Sequence, residues 1–170
     1  MTINKFDILS IDFDWIQNLR QQEELLNYLI PLIYSHDKII LSYTHDKIFP
    51  FFKHGYDEYN LFNIDHHHDI FYAERQKLDE GNWLHHLSNI YKNKINYVWI
   101  SNPDSKHILP SELKNLKSFR FDHKINYIKE QKFDMIFICC SPDCATTPEV
   151  ITSYKIIENL VYRKYNDKHY

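Results

Sequence analysis

The chain alternates short, dense apolar runs with longer stretches of helical period. Phe6–Phe13 (FDILSIDF), Lys38–Thr44 (KIILSYT), Tyr59–Asp65 (YNLFNID), Ile95–Ser101 (INYVWIS) and Phe133–Cys140 (FDMIFICC) predict strands, and Lys117–Phe121 (KSFRF) a shorter one. Trp15–His36 predicts a helix with Ile16, Leu19, Leu26, Leu29 and Ile30 near one face; Pro31 is expected to bend or end it. Gly81–Asn93 predicts a second helix. Pro148–Tyr165 predicts a third, with proline in its first turn and Glu149 where the helix dipole favours an anion. Strands separated by helices give an α/β fold of three αβα layers around a mainly parallel sheet, in a single domain over residues 1–170.

In such sheets ligands bind outside the carboxyl ends of the strands. Three consecutive predicted strands end in carboxylates or imidazoles: SIDFD, YTHD and NIDHHHD. On a continuing strand Asp12 and Asp14 point to the same face, as do Asp65, His67 and Asp69, because side chains alternate. Like charges at that spacing repel unless a cation lies between them or one is protonated. Together with His45, this makes four carboxylates and two imidazoles, more than one ion needs. The set suits two divalent metals sharing bridging carboxylates, and its oxygen content favours manganese over zinc. Two metals about 3.5–4 Å apart can hold a bridging water, lower its pKa and present hydroxide to an electrophilic carbon.

Composition narrows the field. The length of 170 residues and 44% hydrophobic content fit one globular domain with a real core. A net charge of −3, from 20 basic and 23 acidic residues well mixed, gives no electrostatic reason to propose nucleic acid or an anionic membrane as partner. No apolar run reaches the roughly 18 residues of a membrane span, and no signal-peptide pattern opens the chain, so a cytoplasmic protein is expected. Cys139, Cys140 and Cys144 are odd in number and clustered, without a CxxC pair; buried free thiols are expected. With only two glycines, Gly55 and Gly81, a phosphate-binding glycine loop is excluded. Of the eleven histidines, His36, His54 and His107 read as surface residues.

The motifs resemble those of the arginase and deacetylase superfamily. NIDHHHD is similar to the D-x-H-x-D motif of arginases and agmatinases, SIDFDW to their S-x-D-x-D motif, and YTHDKIFPF to the metal-binding D-H element of a family of small, divergent arginase-like proteins. EGNWLHHL followed by INYVWIS also resembles that family, so the likeness covers roughly residues 9–101. It implies an arginase-like fold with two manganese ions, one on His45, Asp65, Asp69 and Asp12 and the other on Asp65, His67, Asp12 and Asp14. It implies a proton-shuttling histidine, His85 or His86, in a GN-L-H stretch that also makes Asn82 a substrate-site residue. Within the family, the likeness points to peptide arginases, which convert arginine side chains of ribosomally made precursor peptides to ornithine and release urea.

Three departures from the arginase pattern shape the substrate expectation. Asp12 and Asp14 precede D-x-H-x-D instead of following it, as in a permuted chain. The continuation IFYAERQ places Phe71 and Tyr72 where arginases hold a free α-carboxylate, which fits an arginine inside a peptide and also fits agmatine-like amines. The strand resembling FDMIFICC carries cysteine where arginases contact the guanidinium with an acid; Asp143 or Glu149 would substitute. The alternatives are a small-molecule amidinohydrolase, a single-zinc deacetylase-like hydrolase and a metal-binding interaction module without catalysis.

Overall fold

The computed structural model describes residues 3–52, 55–70, 77–105, 113–141 and 147–166. Six strands form one all-parallel sheet: β1 (Lys5–Asp12), β2 (Ile39–Ser42), β3 (Glu58–Ile64), β4 (Ile95–Ile100), β5 (Ser118–Asp122) and β6 (Met135–Cys139). Their order is β2-β6-β1-β3-β4-β5. Three helices pack on it: α1 (Leu19–Ser35), α2 (Trp83–Ile90) and α3 (Pro148–Asn166).

The sheet is buried on both faces, so its strands read as continuous apolar runs. Alternation divides β1 between two cores. Leu9 and Ile11 join α1 and α3 through Leu25, Leu29, Ile33, Tyr154, Ile157 and Val161. Phe6 and Ile8 point the other way, to Trp83, Leu84 and Leu87 of α2 and to Ile48. This is the three-layer arrangement expected from the sequence, with every strand parallel.

The strand order fixes where a site can form. The chain leaves β1 towards the β2 edge and leaves β3 towards the β5 edge, yet β1 and β3 are neighbours paired from Lys5–Glu58 to Ile11–Ile64. The crevice at their carboxyl ends is therefore the topological switch point of the sheet. Asp12 ends β1 there, and Asp65 follows β3.

Several boundaries differ from the sequence expectation. The first helix starts at Leu19, not Trp15, because Asn18 caps it: the Gln21 N–H donates to Asn18 Oδ1 at 3.0 Å. Its buried stripe is Leu25, Leu29 and Ile33, while Leu19 is exposed. Pro31 does not end it: the helix runs on to Ser35. The carbonyl deprived of a partner by Pro31 belongs to Asn27, and both residues are exposed, so water can satisfy it. The second helix is shorter than Gly81–Asn93, covering Trp83–Ile90. After Ser42 the chain forms a 3-10 helix from His45 to Phe51, so His45 starts a helical turn and does not end a strand.

Candidate metal centre

Asp12, Asp14, His45, Asp65, His67 and Asp69 converge at the switch point, although they come from three separate segments. Asp12 is the last residue of β1, and its carboxylate accepts the Asp14 N–H at 3.3 Å, which starts a 3-10 turn over Phe13–Trp15. Asp14 therefore sits on a turn and not on a continuing strand, contrary to the alternation argument. It reaches the β3 side: its Oδ2 lies 2.8 Å from His67 Nδ1, and its Oδ1 accepts the His66 N–H at 3.2 Å. Beyond Ile64, Asp65–Asp69 leaves the strand as well. Asp69 takes a positive φ of 53°, a conformation Asp tolerates better than most residues. Its carbonyl accepts the Leu84 N–H at 3.1 Å, tying the loop to α2.

The donors fall into overlapping groups, each with its ligand atoms within 4.8 Å of one another. His45, Asp65 and Asp69 form one. Asp14, Asp65 and His67 form a second, with Asp65 common to both. Asp12 and His45 form a third with Cys139, a residue the motif reading did not assign to the metal. These buried Asp/His groupings could hold a metal ion.

Two observations test that fit. Asp12, Asp14, Asp65 and Asp69 are each at most 3% exposed. Among the described residues no lysine or arginine pairs with any of them; their ionic neighbours are His45 and His67. Four buried carboxylates against at most two imidazolium charges leave a net negative site unless protons or cations enter. His45 supplies the second observation. Its Nδ1 stands 2.9 Å from Asp69 Oδ2, 3.1 Å from Asp65 Oδ2 and 3.7 Å from Asp12 Oδ2. No acceptor lies in a hydrogen-bonding direction from this buried nitrogen. Donor atoms crowded together in this way could hold a common cation.

Electrostatics agree. Burial, reinforced by Asp12 and Asp65, pushes the Asp14 carboxyl up to about 7. Burial and the neighbouring Asp69 push Asp65 up to about 8. Burial lowers His45, but Cys139 and Asp69 outweigh it and hold the imidazole well above its usual range. Burial and the charge of Asp12 drive the Cys139 thiol well above its usual range. Without a cation, Asp14 and Asp65 therefore titrate near neutral pH.

A surrounding shell of hydrogen bonds holds these side chains, and the motifs did not point to it. Ser10 Oγ lies 2.6 Å from His45 Nε2, Trp83 Nε1–H donates to Asp69 Oδ2 at 2.6 Å, and Ser141 Oγ–H donates to Asp12 Oδ2 at 2.5 Å. Asn63 donates its amide to Asp65 Oδ2 at 3.1 Å, and Trp83 also packs on the His45 ring at 4.8 Å. Alternation would have found two of these: Ser10 shares a strand face with Asp12, and Asn63 with Asp65. His68, the centre of the histidine run, is fully buried and packs edge-on against Trp99 at 5.5 Å. Burial lowers it to about 3, so it is a neutral core residue.

The other expected site residues stand apart from these groups. His85 and His86 lie on α2, and no ligand group contains either. His85 Nε2 meets the Asn89 amide at 2.9 Å on an exposed surface, whereas His86 Nε2 is buried without a hydrogen-bond partner. The Asn82 side chain is spent on its own loop, accepting the Asp79 N–H and donating to the Lys77 carbonyl, both at 2.9 Å. Glu149 starts α3, which packs on the opposite face of the sheet from α2. Asp143, Phe71 and Tyr72 lie outside the described residues, as do His54, His107 and Cys144. Cys139 and Cys140 are both buried.

A cavity of about 630 Å³ opens beside the Asp14 turn, lined in part by Trp15, Arg20, Gln21, His123 and Lys124. Among the described residues no helix is long and apolar enough to cross a membrane. Compared with protein-family models, with curated proteins and with solved structures, the chain gives no significant match in any of the three.

Proposed function

We propose that the chain is a manganese-dependent hydrolase that converts arginine side chains of a peptide to ornithine and urea. The observation that carries this reading is the convergence of four buried carboxylates and two imidazoles on the switch point, without a lysine or arginine counterion among the described residues. His45, Asp65 and Asp69 would hold one ion, and Asp14, Asp65 and His67 the other. Asp65 would serve both, being common to the two groups, and Asp12 lies beside His45. Two divalent ions there would supply a water acidified enough to act as nucleophile at neutral pH and charge to stabilise the tetrahedral centre.

The chain's own residues do the rest. Trp83, Asn63 and Ser141 fix the carboxylates by donated hydrogen bonds. The side chain of His67 is 43% exposed while that of Asp14 is 4% exposed, so the second group is the one that meets the solvent and the substrate. A guanidinium remains cationic at any working pH, and the negative field of the cluster draws it in. One carbon–nitrogen bond breaks; water oxygen ends in urea and a proton ends on the ornithine amine. His86 is the better suited of the two helix histidines to carry that proton, since Asn89 occupies His85.

The test is mass spectrometry of arginine-bearing peptides incubated with the chain and manganese. Each conversion removes about 42 Da as a CH2N2 unit, the balance of urea release by hydrolysis. Consumption of free arginine or agmatine with peptides untouched would move the assignment to a small-molecule amidinohydrolase. No urea from any guanidinium compound would refute it.

A further inference from the structure

We infer that Cys139 is a metal ligand, and that it makes the His45 side of the centre selective for a thiophilic cation such as Zn2+ or Co2+ over manganese. The inference rests on the reading of the cluster as a cation site, but not on the substrate or the reaction. Cys139 ends β6 directly beside Asp12, with which it pairs in register, and both project to the α2 face of the sheet. Donor atoms of Asp12, His45 and Cys139 all lie within 4.8 Å of one another, and all three residues are buried. Donors bound to a single tetrahedral zinc stand about 3.3–3.8 Å apart, given bonds of about 2.0–2.3 Å. A small side-chain adjustment therefore closes the group on an ion.

His45 supplies the independent pointer to a ligand. It is 1% exposed, and its Nδ1 faces the carboxylates without a hydrogen bond. A cation held between His45 and Asp12 would come within reach of the sulfur, since donor atoms of all three lie within 4.8 Å of one another. Binding breaks the S–H bond, passes the proton to solvent and forms a metal–sulfur bond, with no change of oxidation state. The second group, Asp14, Asp65 and His67, has no sulfur and stays a harder, oxygen-rich position. Offered manganese alone, both positions take manganese. Offered zinc or cobalt as well, the two positions differ, and the His45 side takes the softer ion.

Cys140 is the internal control. It follows Cys139 directly but packs into the core on the α1 and α3 side of the sheet. Co2+ is titrated into the chelator-stripped chain, and near-ultraviolet absorption is followed for a sulfur-to-cobalt charge-transfer band. The band is expected in the parent chain and in Cys140→Ser, and is lost in Cys139→Ser. Loss in Cys140→Ser or Cys144→Ser instead, or no band in the parent chain, overturns the inference. X-ray absorption at the zinc edge of the unmutated, zinc-loaded chain needs no variant to fold. A sulfur scatterer at about 2.3 Å is expected, whereas nitrogen and oxygen alone at about 2.0–2.2 Å refute it. A chain that releases no urea but shows the sulfur ligand would sink the proposed reaction and leave this inference standing; the reverse result would do the opposite.

Discussion

Replacing Asp65 by asparagine separates two roles that the structure gives one carboxylate. Asp65 is 1% exposed and is common to two of the three candidate donor groups. Without a cation its pKa stands at about 8 in the folded chain, against 3.8 as the ordinary value. A carboxyl with a raised folded pKa contributes stability at low pH that is lost as pH rises, the loss being complete above about 8. At about 1.36 kcal/mol per pH unit, the gap between 3.8 and about 8 sets an upper limit of about 6 kcal/mol for the penalty of ionising Asp65 in place. Relaxation and entering water reduce it, so a penalty of about 2–4 kcal/mol is the working expectation. Asparagine resembles the protonated carboxyl. Its amide oxygen can still accept the His67 N–H that Asp65 Oδ1 accepts at 2.7 Å. In chelator, Asp65→Asn should therefore be the more stable by about 1–2 kcal/mol at pH 6, about halfway between 3.8 and 8, and by about 2–4 kcal/mol at pH 9. Urea denaturation at the two pH values measures this. With manganese, on the proposed reading, the order should reverse, since the variant lacks the carboxylate common to two donor groups. A stability difference unchanged between pH 6 and 9 in chelator would refute the reasoning.

Two further outcomes follow from the same geometry. Trp83→Phe keeps the ring packed on His45 but removes the N–H donated to Asp69, so manganese affinity measured by calorimetry should fall about 10–100-fold with the fold intact by circular dichroism. On the proposed reaction, His86→Ala should lower kcat about 10²-fold or more, the usual size of a general acid–base contribution, whereas His85→Ala should stay within a few-fold of the parent chain in a urea-release assay.

The strands were legible because a parallel sheet buried on both faces leaves continuous apolar runs, and β1, β3, β4 and β6 fall within a residue or two of the runs that predict them. The six clustered carboxylate and imidazole side chains were legible for a related reason: acids and histidines recur where those runs stop. What alternation could not supply was the local path beyond the strand ends. Asp12 caps a 3-10 turn that carries Asp14 across to His67, and the left-handed backbone at Asp69 brings its carboxylate back to His45. Helix α1 misled for the opposite reason. Pro31 is a strong breaker in isolation, but Leu29 and Ile33 anchor the helix on either side of it and its exposed face tolerates the missing bond. Cys139 escaped attention because an apolar run ending in cysteine looks like core, and its significance depends on β6 lying next to β1, a pairing between residues far apart in sequence.

The two-group centre with Asp65 in common is tested most directly by counting bound manganese. Equilibrium dialysis of the chelator-stripped chain against manganese alone at pH 8, followed by elemental analysis, should give two ions per chain, falling to one in Asp14→Asn. One ion in the parent chain, or none, would contradict it.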